Sequence, residues 1–166
     1  MMSSYDSVIL AIDPGPVESG WVLLSETTGL PTDHGIADNG TLIDSLRQVV
    51  PADSVVIERV ESFGMAVGAE VFETVYWSGQ FAEAAYPTLV YRLARRAVKL
   101  HLCGSVRAKD TNIRQALIDR FGGHDAAIGT KGHPGPLHGI KSHEWSALAL
   151  AVTFTDQRAT LMSKAG

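Results

Sequence analysis

Two continuous apolar runs stand out along the chain, and each closes on a lone carboxylate. Val8 to Ile12 leads into Asp13, and the run SVVIE starting at Ser54 ends in Glu58. Apolar runs without alternation suit strands buried on both faces, the environment of a central parallel pair. A carboxylate at the tip of such a strand is costly unless a proton, a cation or a polar cleft compensates it. Two such tips invite one shared explanation, and a bound divalent metal is the leading one.

The remaining pattern predicts a β-rich first third and a helical remainder. Asp13-Pro14-Gly15-Pro16 cannot continue a ladder, because two prolines lack donors, so the chain turns there. Gly20 to Ser25 reads as a returning strand and Gly35 to Thr41 as a third; a helix over Leu42 to Val50 precedes the fourth strand, Ser54 to Glu58. Ala66 to Ala85 has helical spacing, with Val67, Val71, Val75, Trp77 and Phe81 facing inward. Pro87 opens a further helix over Thr88 to Arg96. Val98 to Leu102 alternates and reads as a fifth strand. Asp110 caps a helix through Ile113, Leu117 and Phe121 that Gly122-Gly123 ends. Gly122 to Gly139 lacks periodicity and reads as a long mobile loop. Ser142 caps a last helix carrying Trp145, Leu148, Ala149 and Val152. This order of elements predicts an α/β domain with a mixed sheet.

Composition narrows the function classes. The 166 residues, 45% of them hydrophobic, suit one domain over 1–166, with 1–7 and 157–166 as flexible ends. No apolar run approaches the ~20 residues that span a bilayer, and MMSSYDS lacks the pattern of a secretory leader. Cys103 stands alone, which removes disulfide scaffolds and thiolate zinc sites and makes the cytoplasm, of a bacterial host if the protein is phage-encoded, the expected location. The net charge of -4 hides an asymmetry. Met1 to Tyr91 carries two basic and thirteen acidic residues, whereas Arg92 to Lys141 carries ten basic and three acidic ones. A basic segment of this kind suits a phosphate backbone as well as it suits a solvated helix face. His133, His138 and His143 are spaced by five, but in a Gly- and Pro-rich stretch without a cysteine partner. A phosphate-contacting loop with Lys131 and Lys141 fits that stretch better than structural zinc.

Four blocks in order carry a resemblance. VILAIDPG, VVIE, VKLHLCGSVRAKDTNIRQAL and HEWSALALAVT look like the corresponding blocks of RuvC-type Holliday-junction resolvases, including divergent phage-encoded ones, within the ribonuclease H-like nuclease superfamily. The similarity of spacing covers most of Val8 to Thr155. It implies a ribonuclease H-like mixed five-stranded sheet of order 3-2-1-4-5 flanked by helices. Strands one and four are then parallel neighbours about 4.8 Å apart, which brings Asp13 and Glu58 together. The implied activity is metal-dependent nicking of branched DNA, with two Mg²⁺ or Mn²⁺ ions, a four-way junction as partner and a homodimer as the assembly. The family takes further metal ligands from the start of the last helix. Here the chain departs from the pattern, with His143 and Ser146 where the commonest version has two aspartates. His143 is an acceptable substitute, Ser146 a poor one, and Glu144 is the nearest replacement carboxylate. The resemblance also places Arg107 and Lys109 just past the fifth strand as DNA contacts, and Phe63 where it can wedge beside an unstacked base.

Other readings stand beside this one. Asp13 also suits an Asp-Pro-Gly turn, Glu58 a pair with Arg59, Phe63 a core position, and Glu144 the dipole of a helix's first turn. A ribonuclease H-like protein that binds junctions without cutting them is the alternative function. An actin-like or sugar-kinase-like protein shares the IDPG strand, but 166 residues leave no room for its second subdomain.

Overall fold

A computed structural model describes residues 5–165; residues 1–4 and 166, parts of the ends expected to be flexible, lie outside the described residues. The chain runs β1 (Val8–Asp13), β2 (Glu18–Ser25), β3 (Pro31–Asp38), α1 (Asn39–Gln48), β4 (Ser54–Arg59), α2 (Ala69–Ala84), β5 (Leu89–Ala94), α3 (Arg95–Cys103), α4 (Asp110–Arg120), α5 (His124–Ala127) and α6 (His143–Ala165). The sheet order is β3-β2-β1-β4-β5. β1 is antiparallel to β2 and parallel to β4, and β4 is parallel to β5. The expected order therefore holds, on a ribonuclease H-like mixed sheet.

Alternation along the central pair sorts the core into two layers. Ile9, Ala11 and Val56 face a cluster built with Leu148, Ala149 and Val152 of α6 and Ile113 and Leu117 of α4. Leu10, Ile12, Val55 and Ile57 face the other side, against Leu42, Ile43 and Leu46 of α1 and Phe81 of α2. The parallel register pairs Ile12 with Ile57, so one step further sets Asp13 level with Glu58. Both belong to the parity that faces α6.

Several expected elements move. The stretch read as a helix over Thr88 to Arg96 is the edge strand β5, and the stretch Val98 to Leu102 read as a strand is the body of α3. Gly104 closes that helix in the left-handed region, φ 69°, as a C-terminal glycine does. Arg107 and Lys109 accordingly follow a helix. The third strand begins earlier than expected, at Pro31, and the first helix at Asn39, where Asp38 caps it by accepting from Thr41 N–H. α2 turns Ser78, Phe81 and Ala84 inward and leaves Val75 exposed. Within Gly122–Gly139 the chain forms α5 and a bridge between Gly129 and Pro134. The stretch from 157, expected as a loose end, continues α6, and Arg158 bonds Glu26 and Ser54. No helix among the described residues is long and apolar enough to cross a membrane.

Candidate active site

Asp13 is the last residue of β1, and the turn behind it is locked by buried polar bonds. Ser19 Oγ accepts from Gly15 N–H (3.1 Å) and donates to Asn39 Oδ1 (2.7 Å), while Asn39 Nδ2 donates to the Gly15 carbonyl (3.0 Å). Side chains thus bond both main-chain groups of Gly15 where the prolines on either side interrupt the ladder. A side chain at Gly15 would lie 2.3 Å from the Glu18 carbonyl oxygen, so only glycine permits this turn. The result is a fixed carboxylate, 7% exposed, at the mouth of the sheet.

Across from Asp13, β2 carries Gly20. A Cβ there would meet the backbone and Cβ of His143 at 2.5 to 2.7 Å. Its absence lets the first turn of α6 press onto the sheet, and His143 Nδ1 comes within 3.1 Å of Asp13 Oδ2. That hydrogen bond raises the imidazole pKa above its usual value, against the opposing effect of partial burial.

Glu58 sits at the equivalent place on β4. Burial first, and the neighbouring Asp13 charge second, push its carboxyl up to about 7, while Arg95 pulls it down. Arg95 is the first residue of α3, reached from Ala94 of β5 without an intervening loop. Its Nη1 donates to Glu58 Oε2 (3.1 Å) and to Ser146 Oγ (3.3 Å), and its Nη2 donates to Asp110 Oδ1. Asp110, expected as a helix cap, therefore serves as a partner of Arg95, and Lys109 holds the cap position.

Glu144 does not join this group. It is 3% exposed, its Oε1 lies 2.6 Å from His34 Nδ1, and its Oε2 accepts from Lys141 N–H at 2.9 Å. It closes the first turn of α6 and ties it to β3. A carboxylate one residue from His143 points elsewhere because successive helix positions are about 100° apart, whereas Ser146, three residues on, shares the face of His143.

The other expected residues surround the cleft unevenly. Phe63 is 68% exposed and lines a cavity of about 280 Å³ with Glu58, Arg95, Arg96, Lys99 and Val106. Glu61, beside it, pairs with Arg59. Arg107 and Lys109 are on the connection from α3 to α4, Lys131 is exposed between α5 and α6, and Lys141 is exposed at the foot of α6. His138 Nδ1 lies 3.0 Å from the Ile128 carbonyl. Among the described residues no three His, Cys, Asp or Glu side chains converge on one cation position. Sequence reasoning missed Arg95. Its signal was Leu89-Val90-Tyr91, a β-branched and aromatic run after Pro87, together with the helix-ending Gly104, which jointly put position 95 at the end of a strand.

A five-stranded 3-2-1-4-5 sheet with carboxylates at the tips of its central parallel pair defines the class: the fold is ribonuclease H-like, of the RuvC type. A solved structure of RuvC from Thermus thermophilus superposes with a TM-score of 0.67 over 92% of this chain and 96% of that one, at 17% identity. The same protein solved in complex with a Holliday junction substrate gives 0.65 over 93% and 96%, at 20% identity. Neither a protein-family model nor a curated protein matches the sequence.

Proposed function

We propose that the protein is a divalent-metal-dependent, structure-selective DNA endonuclease that nicks branched DNA, with the four-way junction of recombination and repair as its substrate. The observation that carries this reading is the level placement of Asp13 and Glu58 on adjacent parallel strands, both directed to the α6 side. The neighbour of the same fold that is bound to a Holliday junction supports the choice of substrate.

The donor set suits a hard cation. Two carboxylates that repel each other, one held up to about 7 by burial and by its neighbour, gain a counter-charge when a cation sits between them. Asp13 and Glu58 would hold Mg²⁺ or Mn²⁺. Bound there, such an ion polarises the phosphodiester and lowers the pKa of a coordinated water. His143, oriented by Asp13 through Nδ1, presents its other ring nitrogen to move a proton at the attacking or leaving oxygen. Glu144 is bound to His34 and to the Lys141 amide and has no part in this chemistry. Arg96 and Lys99, which line the cleft, and the exposed Arg107, Lys109, Lys131 and Lys141 offer cations to DNA phosphates. Phe63, exposed at the cleft wall, is positioned to wedge between bases at the crossover.

Nicking two opposed strands calls for a two-fold dimer. α2 offers a face for it, with Phe72, Val75 and Tyr76 between 48% and 66% exposed.

Labelled four-way junction, flap and linear duplex, incubated with Mg²⁺ or Mn²⁺, test the reading. The wild type should nick the junction, and Asp13→Asn should lose at least about 100-fold in rate, the scale of a lost metal-assisted step, while binding the junction within roughly threefold of wild type. Normal cutting by Asp13→Asn would end the assignment. The neutral Ser146 favours one competing reading, a junction-binding protein without catalysis; turnover with either metal eliminates it.

A further inference from the structure

The donor set at the strand tips leaves the charge of a second divalent ion unmatched. Asp13 and Glu58 are the two carboxylates directed into the site from the sheet, Glu144 is committed to His34, and Ser146 contributes a neutral hydroxyl. Among the described residues, the further acidic group bonded into the cluster is Asp110, and its partner is Arg95. With one divalent ion and the Arg95 guanidinium, three positive charges meet the three carboxylates of Asp13, Glu58 and Asp110. A second divalent ion would add two further positive charges beside that guanidinium, of which a bound phosphodiester answers one.

Arg95 also fills the space. Its guanidinium lies between Glu58, Ser146 and Asp110, which come from β4, α6 and α4. A cation placed among these groups would have to displace the guanidinium from them. It forms part of the wall of two neighbouring cavities, one of about 280 Å³ lined with Arg96 and Lys99 and one of about 260 Å³ lined with Trp145 and Ser146. A guanidinium presents five N–H donors in a plane, and three of the contacts it can make are used here, which leaves donors for a phosphate oxygen.

Resting on the endonuclease reading, we propose that Arg95 stands in for the second cation of a two-ion site, so that the active site takes one divalent ion per chain. The neutral hydroxyl at position 146 and the arginine at position 95 then act together: one withholds a charged ligand and the other supplies a fixed positive charge. Because a guanidinium stays protonated at every working pH, the charge it supplies does not depend on metal supply.

Counting bound Mn²⁺ tests this, by the electron paramagnetic resonance signal of free Mn²⁺ titrated with the full chain bound to a phosphorothioate junction, after subtraction of the Mn²⁺ that the same junction takes up without protein. The wild type and Arg95→Lys should saturate at one ion per chain, whereas the double variant Arg95→Gln/Ser146→Asp should saturate at two. Two ions per wild-type chain, none, or a single ion in a double variant that folds with wild-type circular dichroism would each overturn the proposal. The count is separate from cutting. A wild type that holds one ion but nicks no DNA refutes the endonuclease reading and upholds the one-ion site; one that nicks with two ions does the reverse.

Discussion

At the scale of single residues, the acid pair makes the metal-free protein sensitive to pH in a definite direction. Glu58 titrates at about 7 in the folded chain against about 4.5 when unfolded, so between those values the folded state binds more protons and stability falls as pH rises. His143 acts in the same sense: its folded pKa is raised by the bond to Asp13, so its contribution is complete below its unfolded pKa and is lost as pH climbs through the folded one. Denaturant unfolding in EDTA should therefore show a loss on the order of 2 kcal/mol between about pH 5 and pH 8, since a tenfold difference in proton affinity between the folded and unfolded chain is worth about 1.4 kcal/mol before solvent screening. Glu58→Gln should flatten most of that slope. A wild-type curve that rises over this range would contradict the assignment of Glu58 as the raised carboxyl. The two strand-tip carboxylates were legible in the sequence because burying a charge at the end of an apolar run demands an explanation. The direction of Glu144 was not legible, since one residue's offset on a helix carries it toward β3 and His34 and away from the metal position expected of it.

At the scale of elements, the approach of α6 to the sheet depends on the missing side chain at Gly20. Gly20→Ala sets a methyl group 2.5 to 2.7 Å from His143 main-chain and Cβ atoms, which cannot swing aside as a flexible side-chain tip can. The expected cost is about 1–3 kcal/mol in urea unfolding, together with a loss of cleavage of roughly tenfold or more as His143 moves off Asp13. Unchanged cleavage would show that the contact of His143 with Asp13 has no part in turnover. The glycine itself is plain in the sequence; the contact that makes it necessary is long-range and is not. The β5–α3 region shows the opposite failure. VKLHL alternates like a strand, yet Val98 and Leu102 are also four apart and pack on one helix face, and periodicity in so short a run does not separate the two. The expected sheet order holds all the same, because either assignment adds one strand beyond β4.

At the scale of the whole molecule, the exposed aromatic face of α2 lies on the layer opposite α6. Used as the two-fold contact, it would set two active sites in one particle. Sedimentation velocity should give a dimer for the wild type and a monomer for Phe72→Glu/Tyr76→Glu, with paired incisions replaced by single nicks in a supercoiled cruciform plasmid. A double variant that remains dimeric would place the contact elsewhere. The basic excess of Arg92 to Lys141 was visible as a count along the chain. Its arrangement was not, because those residues are spread over β5, α3, α4 and the connections that follow, and only folding decides which of them reach the cleft.

β5 is the outermost strand on its side of the sheet, and it hands the chain to α3 between Ala94 and Arg95 with nothing in between. Sliding that strand by one position against β4 would exchange its inner and outer side chains and carry the guanidinium away from its oxygen partners. The acidic cluster thus acts as a gauge of edge alignment: the margin of the sheet cannot drift without stripping Glu58 of its counter-charge.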